Sequence, residues 1–336
     1  MLQAQLERLS EVASNAGSIL ILPHNNPDPD AIASAVGLRF LLAERLAVEA
    51  RIAYLGIIGR AENTALVRYL GHPLRRLTAS DLRASDSIAL VDTQPGAGNV
   101  TLPPESRIAI VIDHHPPRET TAAADFADIR PEVGATSTML AEYLKVAGVE
   151  LPAAIATALF YGIKADTMGL IRDTSPADAN AFCYLQSQVD MEALSRIEYA
   201  QVPADYFNSF NTTLQAARVY DSVVVAFLGS LAYPDLGAEM ADILLRLKGI
   251  RWVVCIGTFE DLLIMSVRTR NRGGAGQLVQ DIVGDGGTAG GHGAMAGGQI
   301  PLGEQDPETL AIQLSQRVLQ CLKVPPESEG RPLLHM

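Results

Sequence analysis

Residues 24–30, HNNPDPD, set an imidazole and two carboxylates inside a loop stiffened by two prolines. Oxygen and nitrogen donors mixed at this spacing suit a first-row divalent ion such as Mn2+, and no thiolate stands near enough to suggest a structural zinc site. Taken alone, the stretch could equally be a solvated acidic turn. The same residue types recur, however. Asp92 follows the apolar run SIALV, Asp113 ends RIAIVID with His114 and His115 directly behind it, and Asp166 follows the apolar segment AAIATALFYGI. Five carboxylates gathered in one place repel one another unless cations compensate them. Two divalent ions sharing a bridging carboxylate, activating water for attack at phosphorus, is the chemistry that this set would serve.

Such a set needs elements that bring it together. SILILP (18–23), RIAYLG (51–56), SIALVDT (87–93) and RIAIVID (107–113) are short apolar runs with the character of strands buried on both faces, which favours a mostly parallel sheet covered by helices. Between them, AIASAVGLRFLLAERLAVEA carries Ile32, Val36 and Phe40 at four-residue spacing with Leu41 beside them, a helix packed on a sheet, and NTALVRYLG continues the alternation. In a doubly wound parallel sheet the carboxyl ends of the strands share one edge, so acids that close separate strands converge there.

The chain has 336 residues, 48% of them hydrophobic, enough for two domains with their own cores. Boundaries are expected at a catalytic domain over 1–190, a helical connector over 191–218 around Pro203, and a smaller α/β domain over 219–336. The formal charge of −12 argues against a long nucleic-acid track and against a stable duplex partner. Three scattered cysteines fit a reducing compartment, and no apolar run reaches a membrane span, so a cytoplasmic chain with no membrane partner is expected.

In the second domain, VVVAFLG, GAEMADILLRLKG, RWVVCIG and LLIMSVRT alternate strand and helix patterns. The segment SVRTRNRGGAG concentrates Arg268, Arg270 and Arg272, and if the strand continues, Arg268 and Arg270 share a face from which a paired-donor side chain could grip phosphate. GDGGTAGGHGAMAGG places His292 between glycines whose exposed amides could approach an anion. A solvated basic turn and an inert surface loop are the alternatives.

HNNPDPDA, LVDTQP, DHHP and ADT, in that order, resemble the successive motifs of the DHH phosphoesterase superfamily, and GGHGAMAGG resembles the glycine-rich signature of its DHHA1 domain, with Met295 standing where relatives have a pair of adjacent alanines. The resemblance extends to the NrnA-like branch of bifunctional oligoribonucleases and phosphatases of 3',5'-phosphorylated nucleosides. It implies an N-terminal, mostly parallel-sheet DHH domain, a smaller DHHA1-like domain and two divalent ions, Mn2+ foremost. By its motifs, His24 and Asp28 would bind the first ion, Asp30, His114 and Asp166 the second, and Asp92 would bridge them. Asp113 would orient a neighbouring ligand, and His115 would face the phosphate, its alternatives being another metal ligand or a packed histidine. Arg268, Arg270 and His292 would contact substrate lodged between the domains. The implied partners are short RNA, a dinucleotide or a phosphorylated nucleoside, with a homodimer compatible. Alternatives are a cyclic-dinucleotide phosphodiesterase, a pyrophosphatase or polyphosphatase, and a catalytically weak nucleotide sensor.

Overall fold

A computed structural model describes residues 2–271 and 273–334. The chain divides into two units, Met1–Ala200 and Gln201–Met336, and the segment 191–218 is shared between them.

The first unit holds six strands: β1 (Ile19–Pro23), β2 (Ala50–Tyr54), β3 (Leu74–Arg76), β4 (Ser87–Val91), β5 (Ile108–Asp113) and β6 (Phe126–Ile129). They form one sheet in the order β3-β2-β1-β4-β5-β6, every pair parallel. Winding runs outward from β1 through β2 to β3, then restarts at β4 on the other side of β1. The reversal opens a crevice at the carboxyl ends of β1 and β4, the place where open α/β sheets take ligands. Strands β3 and β6 escape a pattern search because each is an edge strand of only three or four residues, too short to show a period.

Eight helices accompany the sheet: α1 (Leu2–Asn15), α2 (Pro29–Leu46), α3 (Ala61–Tyr69), α4 (Ala79–Arg83), α5 (Thr136–Ala147), α6 (Ala153–Asp166), α7 (Pro176–Gln186) and α8 (Met191–Glu198). Alternate residues of each strand serve opposite faces. Ile19, Ile21, Ala89, Val91, Ile110 and Ile112 join the core shared with α1, α2, α5 and α6. On the other face, Leu20, Leu22, Ile88, Leu90 and Val111 close on a thinner layer that includes Leu77, Leu82, Val100 and Leu102. The helical cover is therefore unequal on the two faces. Helix α2 is buried from Pro29 to Leu38 without a break, since the sheet, α5 and α6 all pack on it.

The second unit contains α9 (Ala204–Ala216), β7 (Arg218–Tyr220), β8 (Val223–Ser230), α10 (Leu236–Leu244), β9 (Trp252–Phe259), β10 (Leu262–Thr269), α11 (Ala275–Val283), β11 (Thr288–His292), β12 (Met295–Pro301), α12 (Pro307–Cys321) and β13 (Arg331–Pro332). Its mixed sheet runs β11-β12-β10-β9-β8-β7-β13, with β8 and β9 parallel and the other pairs antiparallel. One face packs on α11 and α12, the other on α9 and α10. The architecture is two α/β domains, the first built on a parallel sheet and the second smaller. The glycine-rich stretch 284–298 is not the flexible loop that its composition predicts: most of it forms the β11–β12 hairpin, turning through Gly293 and Ala294. No described helix is long and apolar enough to cross a membrane.

Close approach of α2, α5 and α6 depends on Gly162. A Cβ there would lie 2.3 Å from Ser137 Oγ and 3.1 Å from Ala33 Cβ. Gly162→Val should therefore destabilise the chain by about 1–3 kcal/mol through overpacking, read as a lower denaturant midpoint. An unchanged midpoint would show that the helices can separate freely.

Candidate metal centre

Each acidic motif sits where the topology leads. His24 follows β1, Asp92 follows β4, Asp113 ends β5 with His114 and His115 behind it, and Asp166 is the last residue of α6. Asp28 is the N-cap of α2, its Oδ1 accepting from the Ala31 amide at 3.0 Å, and Pro29 occupies the first turn, where no amide hydrogen is required. Asp30, fully buried in that turn, faces the N-terminus of α5: its Oδ2 accepts from Thr136 N at 2.6 Å and its Oδ1 from Ser137 N at 2.8 Å. A helix N-terminus stabilises a carboxylate by its free amides and its dipole.

Asp92 lies at the centre. Its Oδ2 is 3.5 Å from His24 Nε2, and its Oδ1 is 3.5 Å from His114 Nε2 and 2.9 Å from the donating Thr136 hydroxyl. Its φ of 58° is left-handed, an uncommon and strained conformation for a residue other than glycine, found where surrounding structure holds a functional group in place. His24 Nε2 also lies 3.8 Å from Asp28 Oδ1, and His114 Nε2 lies 3.4 Å from Asp166 Oδ2.

Three sets of donor atoms come within 4.8 Å of one another: His24 with Asp28 and Asp92, Asp30 with His114 and Asp166, and Asp92 with His114 and His115. The fit to metal can be judged from these separations. Donors about 2.0–2.2 Å from one ion lie roughly 3–3.5 Å apart, close to the 3.4–3.5 Å imidazole–carboxylate distances and longer than a direct hydrogen bond between such groups. Tautomers agree. His24 Nδ1 is 2.9 Å from the Asn25 carbonyl and His114 Nδ1 is 3.3 Å from the Val133 carbonyl, so with Nδ1 donating, each ring turns a bare Nε2 toward the carboxylates. The residues present thus form two candidate sites for divalent ions, with Asp92 common to both.

Asp113 lies beside these sites and holds His115. Its Oδ1 is 2.8 Å from His115 Nδ1, and its Oδ2 accepts from Gln94 Nε2 at 2.7 Å. Gln94 is itself fully engaged, its Oε1 accepting from the Arg118 amide at 3.0 Å and from the Thr121 hydroxyl at 2.8 Å. Gln94, Thr136 and Ser137 form the support that motif reading passes over. The TST run before an apolar MLAEYL segment is a signal for a helix start, but nothing in the sequence ties that helix to Asp30 or Asp92.

Burial and mutual repulsion dominate the titration of this cluster. Burial, followed by the Asp92 carboxylate, pushes Asp30 up to about 7. Asp166 is driven well above the carboxylate range by burial and then by Asp28, Asp30 and Asp92. Burial opposes the proton on His24, yet Asp28 and Asp92 raise that ring well above an ordinary imidazole. For His114, burial is again outweighed, here by the charges of Asp92, Asp30 and Asp113, and for His115 by its bond to Asp113 and the charge of Asp92. Asp28 and Asp113 are held low: burial acts upward on both, but His24 outweighs it for the first and His115 for the second.

In the second unit, Arg268 is nearly buried, its side chain 10% exposed, with Nε 2.6 Å from Asp242 Oδ1 and Nη1 donating to the Val267 carbonyl. Arg270 follows the last residue of β10, so the strand stops short of it; its Nε and Nη2 both donate to the Leu245 carbonyl, at 3.1 and 2.8 Å, capping the C-terminus of α10. Both guanidinium groups reach the α10 segment and both have structural partners. Arg272 and the side chain of His292 lie outside the described residues.

A carboxyl whose folded value exceeds its unfolded one keeps its proton longer in the folded chain. Without metal, stability should therefore fall as pH rises from about 4, where unfolded carboxyls ionise, through the value near 7 of Asp30. The raised histidines act in the same direction above about 6.5, while Asp28 and Asp113 make their contribution fully above pH 4 and do not reverse the trend. Mn2+, which needs the deprotonated ligands, should restore stability most at the alkaline end. Thermal unfolding between pH 5 and 8, with chelator and with Mn2+, tests this; a melting temperature that rises with pH in chelator contradicts it.

Comparison with known proteins agrees with this arrangement. The model of the DHH family, N-terminal domain, matches residues 18–163. An uncharacterized protein of Methanocaldococcus jannaschii is 38% identical over 302 residues, covering 89% of this chain and 61% of that protein. A probable manganese-dependent inorganic pyrophosphatase of Streptococcus pyogenes is 28% identical over 158 residues, 47% of this chain and 50% of the relative. The chain thus spans less than two thirds of the length of either. Among solved structures, an exopolyphosphatase-related protein of Bacteroides fragilis superposes with a TM-score of 0.76 at 17% identity, covering 96% of this chain and 97% of its own. RecJ of Thermus thermophilus in complex with Mn2+ superposes at 0.54 with 15% identity, over 97% of this chain and 55% of that one; both are likenesses of fold. The DHH match over residues 18–163 contains six of the seven clustered ligand candidates, so the first unit is similar to the N-terminal domain of the DHH family where the candidate metal centre lies.

Proposed function

We propose that the chain is a two-metal phosphoesterase of the NrnA-like kind, hydrolysing short oligoribonucleotides and, with them, 3',5'-phosphorylated adenosine or linear diadenylate. The observation that carries the reading is the division of the Asp92 carboxylate, one oxygen 3.5 Å from His24 and the other 3.5 Å from His114. That division supports a bridging role. His24 and Asp28 would hold one ion, and Asp30, His114 and Asp166 the other, Mn2+ being the ion best matched to this donor set. Divalent ions bound there would neutralise charge on the phosphoryl oxygens and supply a nucleophile from water near neutral pH.

The protein's own part is orientation and proton handling. The Thr136 hydroxyl fixes one Asp92 oxygen, and the first amides of α5 fix both oxygens of Asp30. His115, held through Nδ1 by Asp113, would turn Nε2 to an oxygen of the phosphoryl or leaving group and donate a hydrogen bond or a proton there. A net charge of −12 disfavours a long polyanion, so cations must act locally. Among the described residues Arg270 spends Nε and Nη2 on the Leu245 carbonyl, which supports Nη1 as a phosphate donor; Arg268, tied to Asp242, would serve through Nη2. His292 is proposed as a further substrate contact. Pyrophosphate hydrolysis is the second reading, favoured by the streptococcal match over 47% of the chain.

A panel of short RNAs of graded length, 3',5'-phosphorylated adenosine, linear and cyclic diadenylate, and pyrophosphate, each with Mn2+, separates the readings. RNAs of roughly two to five nucleotides, the span that a local phosphate grip accommodates, should turn over fastest. Faster pyrophosphate hydrolysis would select the second reading.

His115→Ala distinguishes a phosphate-facing residue from a ligand. Two Mn2+ per chain should remain while single-turnover hydrolysis falls roughly 10²-fold. Loss of one ion would instead assign His115 to the metal set.

A further inference from the structure

A cavity of about 280 Å³ opens within the second unit, where the first residues of β8 and β9 meet the end of α12. Trp252 and Leu322 contribute to its apolar wall, and Arg251, Lys323, Asn271 and Asp221 to its polar side. Polar groups dominate the lining, with the Trp252 indole its large flat apolar member. Every lining residue belongs to the second unit, and none is a candidate metal ligand.

The backbone that carries both cations is braced, and both side chains are exposed. The Arg251 carbonyl accepts from Arg270 N and from the Thr269 hydroxyl, both at 3.0 Å, bracing this residue on the arginine-rich segment that follows β10. Its Nε and Nη2 lie 3.3 Å from Ser222 Oγ, a neutral partner. Lys323 has a left-handed φ of 55° just past α12, and its amide donates to the Gln320 carbonyl at 3.0 Å. Among the described residues, neither cation makes an ion pair. In a chain of formal charge −12, two cations without ion-pair partners beside a half-buried indole are a local inversion of the overall field.

We propose that this cavity binds a nucleoside monophosphate. The base would lie on Trp252 and the apolar wall, since an indole offers a flat face to any base. The phosphate would take charge-assisted donors from Arg251 and Lys323. Asn271 and Asp221 would meet the sugar hydroxyls or the hydrogen-bonding edge of the base, with Asp221 too few in charge to cancel both cations. The assignment does not depend on the reaction at the metal centre.

Trp252 is the single tryptophan of the chain, so its fluorescence reports on this cavity directly. The full chain, in chelator to remove divalent ions, would be titrated with AMP, adenosine and inorganic phosphate. AMP should change the emission saturably, and adenosine should bind about tenfold or more weakly for want of the charge-assisted bonds. Arg251→Gln and Lys323→Gln should each weaken AMP by about tenfold while leaving Mn2+ stoichiometry and the unfolding midpoint unchanged. Asp221→Asn should tighten AMP by removing a like charge. The proposal is overturned if the emission does not saturate at millimolar AMP, if saturation survives both cation substitutions, or if it appears only with Mn2+, which would assign the effect to the metal centre.

Discussion

The first unit is organised around uncompensated negative charge. Asp28, Asp30, Asp92, Asp113 and Asp166 are brought together with three imidazoles at one edge of a parallel sheet, and Asp30, Asp92 and Asp113 are essentially buried. Such a group cannot ionise fully in a low-dielectric setting without cations, and the raised Asp30 and Asp166 express that strain directly. Divalent ions held there would resolve it, and the charges that repel one another would become the source of metal affinity.

Much of the surrounding architecture holds these charges apart by fixed amounts. The N-terminus of α5 binds Asp30 through two amides, and Asp28 spends one oxygen on capping α2. Asp113 is locked between His115 and Gln94. Asp28, Asp30 and Asp92 are thus each oriented by a hydrogen bond from outside the set of acids and histidines, which helps to keep like charges at ligand spacing. The tight α2–α5–α6 packing around Gly162 serves the same end, because Asp30, Ser137 and Asp166 each belong to one of those three helices.

In the second unit, polar groups singled out for ligand chemistry prove to have structural employment as well. Arg268 is paired to Asp242 and Arg270 caps α10. Composition cannot separate these uses, since a guanidinium has five donors and can serve a carbonyl and a phosphate together. The glycine-rich stretch shows the converse: its small residues permit a close-packed β11–β12 hairpin, and a Cβ at Gly291 would meet Met295 O at 2.4 Å.

The sequence alone determined a good deal: four apolar strands, three of them followed by acids, the helical character of most of 31–50, and the division into two α/β domains. Those features follow from short-range periodicity and from residue types whose chemistry allows few alternatives. Strands β3 and β6 and the thin second face were not legible, because edge strands of three or four residues are too short to show a period and loop cover carries little apolar signal. Nor could any pattern assign Gln94 to Asp113 or Thr136 to Asp92, contacts that span 19 and 44 residues. Only the tertiary structure decided which oxygen faces which ring, which nitrogen each histidine turns toward the carboxylates and whether Arg268 is paired, since those depend on distances between segments that local sequence does not encode.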